Sequence, residues 1–187
     1  MKPVITADKL GHRFDRWLFR RVSFELEAGD TLVITGSNGS GKSTLLKVLA
    51  GLLMPREGNV TVSGAVGYSA LELAVYPQLS ANEHLALAAE LRGIRTSPAE
   101  ELTRVGLENS GDQLAGTFST GMKARLKLAL ATQGSPQVLL FDEPTASLDA
   151  KGREIFDQTI QDFVGAVVIA TNDEMDRRHA THEISLD

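Results

Sequence analysis

Residues 36 to 44 read Gly-Ser-Asn-Gly-Ser-Gly-Lys-Ser-Thr, a complete phosphate-binding loop of the form GxxxxGK[ST]. An apolar stretch, Thr31-Leu-Val-Ile-Thr35, precedes it and reads as a strand. Lys42 to Ala50 follows and reads as a helix. That strand–loop–helix context is what the motif requires. Its glycines let the backbone turn tightly and bring N–H groups against phosphate oxygens. The helix then points its positive end at the same anion. Lys42 is placed to reach the β- and γ-phosphates, and the Ser43 hydroxyl to ligate Mg²⁺. A glycine-rich turn that merely mimics the motif would not need every fixed position filled. The chain is therefore expected to bind a nucleoside triphosphate through Ser37, Asn38, Gly39, Ser40, Gly41, Lys42, Ser43 and Thr44.

At 187 residues the chain is expected to be one domain with a substantial core. It has no cysteine, which excludes disulfides, thiolate metal sites and cysteine nucleophiles. A net charge of −5 gives no pull towards nucleic acid. Arg13, Arg16, Arg20 and Arg21 form a basic group that is either a phosphate-binding patch or a solvated surface. No apolar run approaches membrane-spanning length and the N-terminus lacks the layout of a signal peptide, so a membrane role would need a separate spanning partner.

Apolar runs at both ends read as strands: Val22 to Leu26, Asn59 to Ser63 between Gly58 and Gly64, Val138 to Phe141, and Val167 to Ala170. The continuous runs are of the kind buried in a parallel sheet. From Ser80 to about Ala131 the composition turns to Ala, Leu, Glu, Lys and Arg with helical spacing. The expected fold is an α/β nucleotide-binding core with a helical section, residues 80–131, inserted between its phosphate loop and its later strands.

The strand Val138 to Phe141 delivers two carboxylates, Asp142 and Glu143. A hard cation takes oxygen ligands, so Asp142 suits Mg²⁺, and Glu143 would polarise the attacking water. Upstream, Ser119 is a natural N-cap for the helix Ala124 to Thr132, and Gly121 permits close approach of a backbone or ligand.

These pieces in this order resemble the ATP-binding subunit of ABC transporters, across essentially the whole chain. Gly36 to Thr44 is similar to that family's Walker A motif, and Val138 to Glu143 to its Walker B motif with the catalytic glutamate. Phe118 to Met122 resembles the LSGGQ signature, with Thr120 and Met122 in place of its first glycine and its glutamine. Ala146 to Asp149 resembles the D-loop. Phe14 falls where the family places an aromatic that stacks on adenine, with Trp17 and Phe19 as competitors. The resemblance implies a P-loop NTPase core sheet, a helical subdomain and a small antiparallel β-subdomain in a single ATP-binding domain over 1–187. It implies ATP and Mg²⁺ as cofactors, ATPase activity, and a head-to-tail pair with itself or a paralogous ATPase subunit. Each ATP would sit between one Walker A and the other copy's Ser119, Gly121 and Asp149. Closure would exclude water and strengthen the local electrostatics. The implied partner is a membrane-spanning permease, with the ATPase peripheral on the inner face of the cell membrane. The signature variant resembles those of exporters whose ATPase and membrane subunits are separate chains, and the compact length and the stretch Ile34 to Thr44 resemble the haem-exporter type.

Two landmarks depart from the family. Asn172 stands where the family has a histidine that contacts the γ-phosphate; an amide can donate a hydrogen bond there but carries no proton or charge. Slower hydrolysis with no histidine-like titration is expected. The Q-loop glutamine aligns with Leu71, which cannot ligate Mg²⁺; Glu72 either supplies that oxygen or is a surface carboxylate. The permease is expected to dock around Leu71 to Leu91, by analogy. Two rival readings are a soluble ABC-type ATPase not engaged in transport and a weakly hydrolysing regulatory subunit.

Overall fold

The computed structural model describes residues 2–187 and divides into two compact units. The first comprises the chain up to Tyr68, Gln137–Glu143 and Phe163–Asp187. The second comprises Ser69–Pro136 and Pro144–Asp162.

Two sheets build the first unit. In one, β1 (Ile5–Arg13) lies between β2 (Trp17–Leu26) and β4 (Glu57–Val62), antiparallel to both. The other contains β3 (Thr31–Thr35), β5 (Val66–Ala70), β6 (Val138–Asp142), β7 (Ala166–Ala170) and β8 (His182–Ser185), in the order β5-β6-β7-β3-β8. β3 runs parallel to β7 and β8, and β6 parallel to β7, with Asp142 opposite Ala170. Helix α1 (Lys42–Leu49) leaves β3 through the phosphate loop. Its Leu45, Leu46 and Leu49 join Leu32, Ile34, Leu140 and Val168 in one buried cluster with Ile5, Leu10 and Leu26 of the antiparallel sheet. The alternate residues Val33, Leu139, Val167 and Ile169 are also buried, so these strands need apolar side chains on both faces and read as unbroken hydrophobic runs.

Several strands differ from their sequence reading: β2 starts at Trp17, five residues before the Val22 expected, and β1, β5 and β8 have no counterpart in it. The strand expected at 59–63 starts at Glu57 and runs through Gly58, which adopts φ +77°; a Cβ there would lie 2.2 Å from the Asp8 carbonyl. Only glycine fits that irregularity in the ladder. Strand β1 had no clear alternation to reveal it, because its pairing shifts register between Ala7 and Arg13 and Lys9 takes φ 49°.

The second unit is helical: α2 (Ala81–Arg92), α3 (Pro98–Arg104), α4 (Thr120–Thr132) and α5 (Ala150–Asp162). Local chemistry sets their ends. Ser80 and Glu83 form a reciprocal capping box at the start of α2, and Gly93 closes it in the left-handed conformation. Pro98 opens α3 behind the N-cap Ser97. Helix α4 begins at Thr120, one turn before the Ala124 start expected from composition, because Ser119 caps it directly. The remaining helix, α6 (Glu174–Arg177), is a single turn after β7 in the first unit.

Candidate functional site

Gly41 opens α1 with φ +106°, and no side chain caps the helix. The first-turn N–H groups are thus left for an anion. A Cβ on Gly41 would lie 2.9 Å from both Leu18 Cβ and Phe19 Cδ1, so the loop can run this close to β2 only as glycine. Lys42 is 7% exposed. Its ammonium turns back to donate to the carbonyls of Gly36 at 2.7 Å and Ser37 at 3.5 Å. The Ser40 hydroxyl is buried and has no hydrogen-bond partner, an orphaned polar group within the loop.

A cleft of about 390 Å³ opens in front of this loop. Phe14 and Leu18 line one part. Asn38, Gly39, Gly41, Lys42, Ser43 and Thr44 line the loop side, and Asp142 and Glu143 stand at the end of β6. Phe14 is 64% exposed, and its ring meets His12 edge-on at 5.1 Å. Its two competitors are occupied elsewhere. Phe19 packs in the core, and Trp17 lies under the guanidinium groups of Arg13 and Arg20, at 5.4 and 4.3 Å from its ring centroid. Arg20 also pairs with Glu57 at 2.8 Å. The four N-terminal arginines are exposed, and two of them are engaged with an aromatic neighbour on their own sheet.

The carboxylates differ in setting. Asp142 is largely buried. Burial pushes the Glu143 carboxyl above the usual carboxylate range, and the charge of Asp142 adds to this. Lys42, the Thr171 hydroxyl and the Asn172 N–H act in the opposite direction. Asn172 follows β7, and its Oδ1 accepts from the Gly36 N–H at 3.4 Å. Ser37 donates its backbone N–H to Asp187 Oδ1 at 2.7 Å, a partner that sequence reading did not suggest because 150 residues separate the two.

The second unit gathers Ser119, Gly121 and Asp149. The Ser119 hydroxyl accepts from the Met122 N–H at 3.2 Å and so caps α4. A Cβ on Gly121 would lie 3.0 Å from Asp149 Oδ2, so a larger residue would press on that carboxylate. Asp149 Oδ1 accepts the Gly152 N–H at 2.8 Å, and Oδ2 faces Arg125 Nη2 at 3.5 Å. Arg125, which sequence reading passed over as helix, also donates to the carbonyls of Val105 and Gly106. Glu72 is exposed on the turn after β5. Beside it Lys127 of α4 donates to the carbonyls of Leu71 at 2.7 Å and Ala70 at 3.3 Å, and burial lowers the Lys127 pKa.

Known proteins are similar to this chain. Residues 19–146 match the family model described as ABC transporter. The chain is 36% identical over 179 residues to the taurine import ATP-binding protein TauB of Mesorhizobium japonicum, spanning 86% of this chain and 69% of that one. It is 32% identical over 187 residues to the cytochrome c biogenesis ATP-binding export protein CcmA of Hyphomonas neptunium, spanning 98% and 97%. The dimeric structure of a post-hydrolysis state of the ATP-binding cassette MJ0796, bound to ADP and Pi, shares the fold with a TM-score of 0.85 at 22% identity, over 98% of this chain and 94% of that one. A family match over most of the chain, and relatives above 30% identity along nearly its full length, place it: the chain belongs to the ABC transporter family, as an ATP-binding ATPase domain.

Proposed function

We propose that this chain binds and hydrolyses ATP to power export through a separate membrane-spanning permease, by closing with a second ATPase subunit around the nucleotide. The observation that carries the reading is the single cleft onto which Phe14, the phosphate loop, Asp142 and Glu143 all open. Phe14 stacks on the base, and the loop N–H groups with Lys42 hold the phosphates. Among the described residues no group of three or more His, Asp or Glu side chains could hold a metal ion. The cleft does offer the Ser43 hydroxyl and the Asp142 carboxylate, oxygen donors that fit Mg²⁺ once phosphate oxygens complete its shell. Mg²⁺ bound there would neutralise charge on the β- and γ-phosphates. Glu143 orients the attacking water and takes its proton, a role suited to a carboxyl whose affinity for protons is already raised.

Ser119, Gly121 and Asp149 supply the face that a second copy presents to the γ-phosphate: a hydroxyl, the N-terminus of the 13-residue helix α4 and a neighbouring carboxylate. Among the described residues no helix is long and apolar enough to cross a membrane, and this reading assigns the membrane-spanning role to a separate permease. Exposed Leu71, Leu73, Tyr76, Leu87 and Leu91 of the second unit give an apolar surface for that partner. The near end-to-end match to a protein named for export favours export over import.

The test is Glu143→Gln. It should bind ATP, scarcely hydrolyse it, and form a dimer on adding ATP, detected by light scattering. A monomeric, fully active variant would refute the assignment. Co-purification with a polytopic membrane protein, followed by transport assays in vesicles of each orientation, tests the direction.

A further inference from the structure

Three consecutive residues at the end of β7 hold Glu143. Its backbone N–H donates to the Ala170 carbonyl at 2.8 Å. The Asn172 N–H favours the charged form of its carboxylate, and Thr171 Oγ1 lies 3.4 Å from its Oε2. Thr171 has no exposed surface, and its own N–H donates to the Ile34 carbonyl at 3.1 Å, so the sheet fixes where its side chain stands. The hydroxyl accepts from the Asp173 N–H at 3.0 Å and lies 2.9 Å from Asp176 Oδ2, in a carboxylate only 2% exposed.

A threonine hydroxyl has one proton to donate. Here two carboxylates face it, at 2.9 and 3.4 Å, while the Asp173 N–H occupies one of its lone pairs and restricts its rotation. The proton serves one carboxylate at a time, so the hydroxyl is shared between Glu143 and a buried acid that does not line the nucleotide cleft. A threonine needed only for packing would be satisfied by Asp176 and the Asp173 N–H alone. The contact with Glu143 is additional, and it falls on a residue held in a left-handed backbone conformation, φ 49°.

Resting on the reading of Glu143 as the residue that orients the attacking water, we propose that Thr171 is a positioning residue for Glu143, with Asp176 competing for the same hydroxyl proton. Thr171 acts through Glu143, since it does not itself line the cleft. A carboxylate freed from one such hydrogen bond samples more orientations, and reaction rate is sensitive to orientation at this scale.

The experiment measures ATP turnover and the affinity for a fluorescent ATP analogue in the full chain. Thr171→Val should lower kcat about tenfold, equivalent to one hydrogen bond of ordinary strength, and leave analogue affinity and KM within about twofold. Thr171→Ser should restore kcat. Thr171→Ala, which cannot overpack the site, should show the same loss as valine and serves if valine abolishes nucleotide binding. In a Glu143→Gln background, Thr171→Val should cause no further loss, because both changes act on one group. Wild-type kcat in the valine and alanine variants, no restoration by serine, or an undiminished loss in the Glu143→Gln background would overturn the inference while leaving the role of Glu143 intact. Wild-type turnover by Glu143→Gln alone would overturn that role, and the inference with it.

Discussion

Glu143 donates its backbone N–H to the Ala170 carbonyl at 2.8 Å while holding φ at 49°. The bond extends the β6–β7 ladder one step past Asp142 and Ala170, the last paired residues. A side chain with a Cβ pays about 1–2 kcal/mol to occupy this left-handed region. The pairing of β6 with β7 imposes the cost, and the result is a carboxylate turned into the cleft beside Asp142. Strain of this kind persists where the surroundings over-determine it.

If backbone strain is stored at Glu143, its relief should be measurable. Glu143→Gly removes the Cβ clash but adds unfolded-state entropy of about 0.5–1 kcal/mol. The two effects offset, so the variant should unfold at no lower a urea concentration than wild type while losing hydrolysis. Glu143→Val, a β-branched residue forced to positive φ, should unfold at a clearly lower urea midpoint. Equal midpoints for the valine variant and wild type would show that the site is unstrained.

Gly41→Ala combines two faults. The position has φ +106°, and the new methyl would lie 2.9 Å from both Leu18 and Phe19. The backbone term alone costs about 1–3 kcal/mol, and Phe19 is too deeply packed in the core to move aside. The loop should shift to make room and carry its N–H groups away from the phosphates. Calorimetry should show ATP affinity falling at least about tenfold, the equivalent of about 1.4 kcal/mol. Unchanged affinity would mean that the loop tolerates a Cβ here.

What could be read beforehand, and what could not, follows the range of the forces involved. The phosphate loop, the Ser119 cap and the buried runs of β6 and β7 are set by neighbours within a few residues or by burial on both strand faces. They were legible within a residue or two. Strand β1 was not, because its register shifts erase the alternation that marks a half-buried strand. Strand β5 was not either: Val66-Gly-Tyr-Ser-Ala70 carries no apolar run to mark it. Helix α5 lacked any apolar run, its buried face being only Gly152, Phe156 and Ile160. Within the site, the Ser37–Asp187 and Thr171–Glu143 pairs span 150 and 28 residues. Only the completed sheet brings them together.

The Ser37–Asp187 bond carries a pH signature. Donation from the Ser37 backbone N–H holds the Asp187 carboxyl below the usual aspartate range. A depressed folded-state pKa means that the unfolded chain binds the proton more readily. The stabilisation is therefore fully present above the unfolded value and is lost as pH falls through the folded one. The group is exposed, so the effect should be small and weaken with salt. An NMR titration should place the Asp187 midpoint below that of an ordinary aspartate. The stability difference between wild type and Asp187→Asn should shrink on acidification through that midpoint. A midpoint at or above the ordinary value would show that the bond does not form in solution.

Ser119→Ala separates the structural role of the signature serine from its proposed role at the dimer seam. Its hydroxyl accepts the Met122 N–H at 3.2 Å, and loss of such a cap costs about 1 kcal/mol. In a domain of this size that lowers Tm by about 2–4 °C. A cap alone would have no other effect, because Ser119 belongs to the second unit and the nucleotide cleft is lined entirely by residues of the first. The proposed seam adds a second expectation: ATP affinity of the monomer stays as in wild type, while ATP-driven dimerisation and turnover fall together. Glycine at the same position separates the two effects further, since Gly loses only a few tenths of a kcal/mol as an N-cap. Ser119→Gly should thus melt close to wild type and still fail to dimerise. If it dimerises and hydrolyses ATP normally, the Ser119 hydroxyl is a helix cap and nothing more.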